Sequence, residues 1–107
     1  MAVIPKNIVK SIQSFIKLVQ RQQQVDAIYL YGSYAKGIAT KWSDIDLAIV
    51  SSDFSDDLFQ EQVRLMQLAA KVDDRIEPRP FTLTSFKLTE PLVNEIQKTG
   101  IRLTLSE

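Results

Sequence analysis

Residues 32–50 read GSYAKGIATKWSDIDLAIV, and they decide the fold. From Asp44 onward the stretch alternates. Asp44, Asp46, Ala48 and Val50 fall on one face of an extended chain, and Ile45, Leu47 and Ile49 on the other. This is a strand that starts with two carboxylates on the same side. Just upstream, residues 27–31 (AIYLY) form a bulky, aromatic-rich run that Gly32 stops, which reads as another strand. With these two strands as antiparallel neighbours, Gly32, Ser33 and both aspartates meet at one end of a sheet. A short helix is expected from about Tyr34.

Working outward, Pro5 suits the first turn of a helix, and Ile8, Ile12, Phe15, Ile16 and Val19 follow at 3.6-residue spacing until the polar run Gln22, Gln23, Gln24. Downstream, Ser55 with Asp56 and Asp57 predicts a helix start. Its expected apolar stripe is Leu58, Phe59, Val63, Met66, Ala69 and Ala70, closing near Lys71. Residues 75–84 (RIEPRPFTLT) predict a third strand, placed at an edge or bulged because Pro78 and Pro80 cannot donate to a ladder. Thr89 and Pro91 open a last helix capped by Gly100, and IRLTL adds a short final strand. The helix between the second and third strands is long enough for a parallel crossover. The expected class is therefore α/β, a small mixed sheet flanked by about four helices, in a single domain spanning 1–107.

The composition narrows the chemistry. The 107 residues are 45% hydrophobic and 24% charged, with thirteen basic residues against thirteen acidic ones. That balance argues against bulk electrostatic binding of nucleic acid or anionic membrane. The chain has no cysteine and no histidine. Thiolate nucleophiles, zinc–thiolate sites and imidazole bases are excluded, leaving carboxylates, hydroxyls, lysine, arginine or a metal on oxygen ligands. No run approaches the ~18 apolar residues of a membrane span, and the N-terminus lacks the apolar stretch of a signal peptide. A soluble, cytoplasmic protein is expected.

Asp44 and Asp46 stand close enough to share hard cations, and magnesium favours such a site when phosphate oxygens complete its shell. Gly32 lets the backbone approach a ligand, and N–H groups at the following helix start attract phosphate. Either feature alone is a weak signal; together, in order and spaced by ten residues, they are specific.

On residues 32–50, including Ala35, Gly37 and the Ser43–Leu47 core, the chain resembles the minimal nucleotidyltransferases of the DNA polymerase β superfamily. The resemblance implies the nucleotidyltransferase fold and transfer of AMP from ATP to a hydroxyl. Gly32, Ser33 and Lys36 would meet the triphosphate, and Asp44 and Asp46 would bind two Mg2+ ions. A third carboxylate on the next strand would help bind metal and activate the acceptor; Glu77 is the candidate. Arg75 and Arg79 lie two residues to either side on the same face, and a surface ion pair explains Glu77 about as well. A solvated lysine explains Lys36 nearly as well as a phosphate ligand. Asp73 and Asp74, just upstream, compete for the third ligand's place. Trp42, just before the aspartates, could stack on a base, but the commoner role of packing its loop against the core is expected, and Tyr29, Tyr31 and Tyr34 are expected to pack in core and loops.

The resemblance also implies a partner, because such proteins are typically encoded beside a small helical HEPN-type toxin. Lacking an acceptor domain of its own, this chain is expected to form a hetero-oligomer and modify a tyrosine of that toxin, an antitoxin role. The alternatives are a small-molecule nucleotidyltransferase subunit and a non-catalytic, nucleotide-binding antitoxin that acts by occlusion.

Overall fold

A computed structural model describes residues 3–87 and 89–104. Its elements run α1 (Lys6–Gln22), β1 (Ala27–Tyr31), α2 (Ser33–Lys36), β2 (Ile45–Val50), α3 (Leu58–Ala70), β3 (Ile76–Phe81), α4 (Pro91–Thr99) and β4 (Ile101–Arg102). The strands form one mixed sheet in the order β3-β2-β1-β4. The β1–β2 pair is antiparallel with Tyr31 opposite Asp46, and β4 pairs antiparallel with β1. After the α3 crossover, β3 runs parallel to β2 with Glu77 beside Asp46.

Alternation along the strands divides the core in two. Ile28, Leu30, Ile45, Leu47, Ile49 and Ile76 pack under α1 and α3, against Ile8, Phe15, Val19, Leu65 and Leu68. Tyr29, Tyr31, Ala48, Val50 and Phe81 face the other way, where Val93 and Ile96 of α4 cover part of the sheet. The carboxylates of Asp46 and Glu77 belong to this second, partly uncovered face. Pro78 and Pro80 sit on the edge strand, where a missing donor costs no ladder bond.

Several expectations need correction. The stripe assigned to α3 is rotated: Leu65, Leu68 and Ala69 are buried, whereas Phe59, Val63 and Met66 are exposed. This helix carries apolar residues around most of its circumference, so periodicity alone selects no face. Its cap is Asp57, two residues later than the expected Ser55, with the Asp57 carboxylate accepting from the Gln60 N–H at 3.2 Å. Pro5 precedes α1 as its N-cap residue instead of lying inside the first turn. The third strand ends at Phe81, because Thr82 and Ser85 close a turn through reciprocal bonds from backbone N–H to side-chain oxygen of 2.8 and 3.0 Å. Trp42 does not pack against the core but stands 81% exposed, with the Lys41 ammonium 5.0 Å from its ring centre. The final strand spans only Ile101–Arg102, and the expected Leu105 lies outside the described residues. The three tyrosines are buried as expected.

Candidate active site

Gly32 turns the chain from β1 into α2 with φ 73° and ψ −146°, a conformation reserved for glycine. The geometry has a second cause: a Cβ at this position would collide with the Asp46 carboxylate on the neighbouring strand. The backbone at residue 32 and the carboxylate of residue 46 thus occupy the same end of the sheet. Ser33 begins α2 directly beyond, and Gly37 ends that helix in the left-handed region, φ 75°.

A second turn delivers the aspartates. Thr40 N–H donates to Ser43 Oγ at 2.9 Å, and Ser43 N–H donates to Thr40 O at 3.1 Å. The chain leaves this turn through Asp44, and Ile45 N–H reaches Arg75 O at 2.8 Å, fastening β2 to the start of β3. Asp44, Asp46 and Glu77 then line one cavity of about 300 Å³ together with Tyr31, Gln62, Pro78 and Arg79.

The electrostatics follow from that convergence. Burial raises the Asp46 carboxyl above its ordinary range, and the negative charges of Asp44 and Glu77 raise it further, with Arg79 pulling the other way. Burial likewise raises the Tyr31 hydroxyl, against the neighbouring Arg79. The donor set is all oxygen, which suits a hard divalent cation. Among the described residues no three acidic side chains are gathered tightly enough to cage a metal by themselves. A cation here would rest on the aspartates and complete its shell with phosphate or water.

Among the described residues Glu77 forms neither of the ion pairs that competed with its catalytic reading. Arg75 turns away to grip Asp73, with Nη2 2.7 Å from Oδ2 and Nε 3.0 Å from Oδ1. Ser11 on α1 adds a 3.1 Å bond to the same carboxylate. The Arg75 hydrogen bond holds the Asp73 carboxyl at about 2, and Asp73 braces α1 against β3 outside the cavity. Asp74 does not line the cavity either. Among the described residues Glu77 has no cationic partner within ion-pair distance.

Lys36 is elsewhere: its ammonium lies 3.3 Å from Glu95 on α4, with both side chains nearly half exposed. Neither Lys36 nor Ser33 lines the carboxylate cavity. Besides Pro78, which reads only as a strand proline, three lining residues escaped the sequence reading as site residues. Tyr31 carried a usable signal, since the antiparallel register places it opposite Asp46. Arg79 carried one too, as period two puts it on the face of Glu77. Gln62 carried none, because it arrives from the crossover helix.

A family model described as polymerase beta, nucleotidyltransferase, matches residues 13–106. Among solved structures, the chain is similar to a mutant of the toxin–antitoxin MntA–HpeT, with 27% identity and a TM-score of 0.60 over 98% of this chain and 76% of that one. It is also similar to a toxin–antitoxin crystallised with AMP-PNP, with 26% identity and a TM-score of 0.61 over 89% of this chain and 74% of that one. A complex of tri-AMPylated HEPN toxin with MNT antitoxin from Shewanella oneidensis matches at 24% identity and a TM-score of 0.53, over 90% of this chain and 73% of that one, and supports the fold alone. No curated protein matches the chain by sequence.

Proposed function

The chain belongs to the polymerase β nucleotidyltransferase family, and on that premise we propose that it transfers AMP from ATP to a tyrosine hydroxyl of a HEPN-type toxin, neutralising it. The observation that carries this reading is the convergence of Asp44, Asp46 and Glu77 on one cavity, where burial and then the charges of Asp44 and Glu77 raise the Asp46 carboxyl. Gathering like charges is unfavourable without a cation, so the cluster is best explained as a site that binds one.

Asp44 and Asp46 would hold two Mg2+ ions. Such ions, when bound, neutralise charge on the phosphates and stabilise both the attacking and the leaving oxygen. Ser33 and the backbone at Gly32 would hold the triphosphate, joined by Lys36 once it leaves a surface pair worth about 0–1 kcal/mol. Glu77, which has no cationic partner at ion-pair distance among the described residues, would take the proton of the attacking hydroxyl and contribute to the metal shell. We further propose that residues 1–107 act as one nucleotidyltransferase domain working in the cytoplasm. Among the described residues no helix is long and apolar enough to cross a membrane.

The partner is supported by two further facts. The relatives at 26–27% identity are described as toxin–antitoxin proteins, and α3 presents Phe59, Val63 and Met66 to solvent, an apolar face of the kind that partners cover. The experiment is calorimetry with a non-hydrolysable ATP analogue. Binding should tighten at least about tenfold with Mg2+ in the wild type and lose that dependence in Asp46→Asn. Equal Mg2+ dependence in the two proteins would refute the assignment.

A further inference from the structure

A second cavity, of about 640 Å³, is walled by β3 and the starts of α3 and α4, and shares two wall residues, Gln62 and Arg79, with the carboxylate cavity. Leu58, Phe59, Phe81 and Leu92 give it apolar walls, Arg79 and Lys87 bring two positive charges, and Glu90 brings one carboxylate, so the cationic end is the Arg79 end. The order of elements across the sheet gives it a direction. Gly32 and Ser33 end β1, Asp46 lies on central β2, and Glu77 and Arg79 lie on edge strand β3, whose residues Arg79, Pro80 and Phe81 wall the cavity. In phosphoryl transfer the attacking and leaving oxygens are roughly in line on opposite sides of phosphorus. A triphosphate held at Ser33 sends its leaving group toward β1, so the attacking oxygen enters from the side of β3.

We propose that this cavity seats the phenol of the acceptor tyrosine, with Arg79 at the junction of the two cavities contacting the attacking oxygen. The inference rests on the transferase reading above. The phenolic oxygen forms a bond to the α-phosphorus while the bond from that phosphorus to the oxygen bridging to the β-phosphate breaks. Pyrophosphate departs with the electron pair, and the phenolic proton passes to Glu77. Charge complementarity favours this occupant: the phenolic oxygen gains negative charge as its proton leaves, and Arg79 is exposed with no acidic partner at ion-pair distance among the described residues. The apolar walls fit the ring.

The test is a pair of amide NMR titrations of the full chain, with Mg2+–AMPCPP and with N-acetyltyrosinamide as the phenol probe. The nucleotide should move the amides of Gly32, Ser33 and Asp44, and the phenol those of Phe59, Phe81, Thr84 and Lys87. Phe59→Ala alters a side chain that is 73% exposed, so the fold is retained. It should weaken the phenol at least fivefold and leave the nucleotide unchanged. Arg79→Gln should erase the preference for N-acetyltyrosinamide over N-acetylphenylalaninamide. A phenol that moves none of the cavity amides, or a nucleotide that moves them in its place, overturns the inference and leaves the transferase reading standing. A nucleotide that moves nothing at Gly32, Ser33 and Asp44 overturns both.

Discussion

Gly32 and Asp46 are fitted to each other: the only side chain at position 32 that leaves room for the Asp46 carboxylate is a hydrogen atom. Gly32→Ala adds a collision to a backbone conformation that other residues rarely adopt. The variant should lose about 1–3 kcal/mol of stability, the usual cost of such strain. It should also lose Mg2+-dependent nucleotide binding, because Asp46 must move. Denaturant unfolding and calorimetry on the same sample check both.

Asp46→Asn separates function from stability. The Asp46 carboxyl is raised in the folded protein, chiefly by burial and then by Asp44 and Glu77. A raised acid contributes stability below its unfolded value of about 3.9, and loses it as pH rises through the folded value. At neutral pH the charged group therefore weighs against the metal-free fold. Asp46→Asn should unfold at the wild-type temperature or above it, while transfer falls on the order of 10²–10³-fold. Asp44→Asn should lose transfer to a similar degree, again with little loss of fold.

Glu77→Gln should cut the rate about 10²–10⁴-fold, as loss of a positioned base does, with nucleotide affinity largely retained. It should melt at the wild-type temperature or above it, since Arg75 is committed to Asp73 and a like charge beside Asp46 is removed. Single-turnover transfer and thermal melts separate this from a structural role, which would lower the melting temperature and leave the rate intact.

The Asp73 brace yields a pH prediction of opposite sign. Its carboxyl is held at about 2 by Arg75, so its contribution is present above the unfolded value near 3.9 and fades as pH falls toward 2. Wild type should lose about 1–2 kcal/mol more than Asp73→Asn between pH 5 and pH 2, a figure reduced because Arg75 is one-third exposed. Transfer at neutral pH should be the same in both. An inactive Asp73→Asn would move the third carboxylate upstream.

What the sequence disclosed depended on where each residue's surroundings come from. Asp44 and Asp46 were legible because strand period two fixes their face without knowledge of any partner, and the turn glycine fixes which end of the sheet they share. The α3 face was not legible, because Phe59, Val63 and Met66 compete with Leu65 and Leu68 on a helix apolar around most of its surface. Lys36 fits a phosphate role locally, and only the docking of α4, 59 residues away, supplies Glu95 as its partner. Gly100 was correctly placed at a helix end for an incomplete reason. Its backbone is extended, not left-handed, and its Cβ is excluded by the Ile96 carbonyl.

The central claim is AMP transfer to a protein tyrosine, and the most direct measurement is incubation of the chain with ATP labelled at the α-phosphate, Mg2+ and a purified HEPN-type partner. Mass spectrometry of the partner should find AMP on tyrosine with wild type, and none with Asp44→Asn. An unlabelled partner with wild type, or equal labelling by Asp44→Asn, would contradict the account.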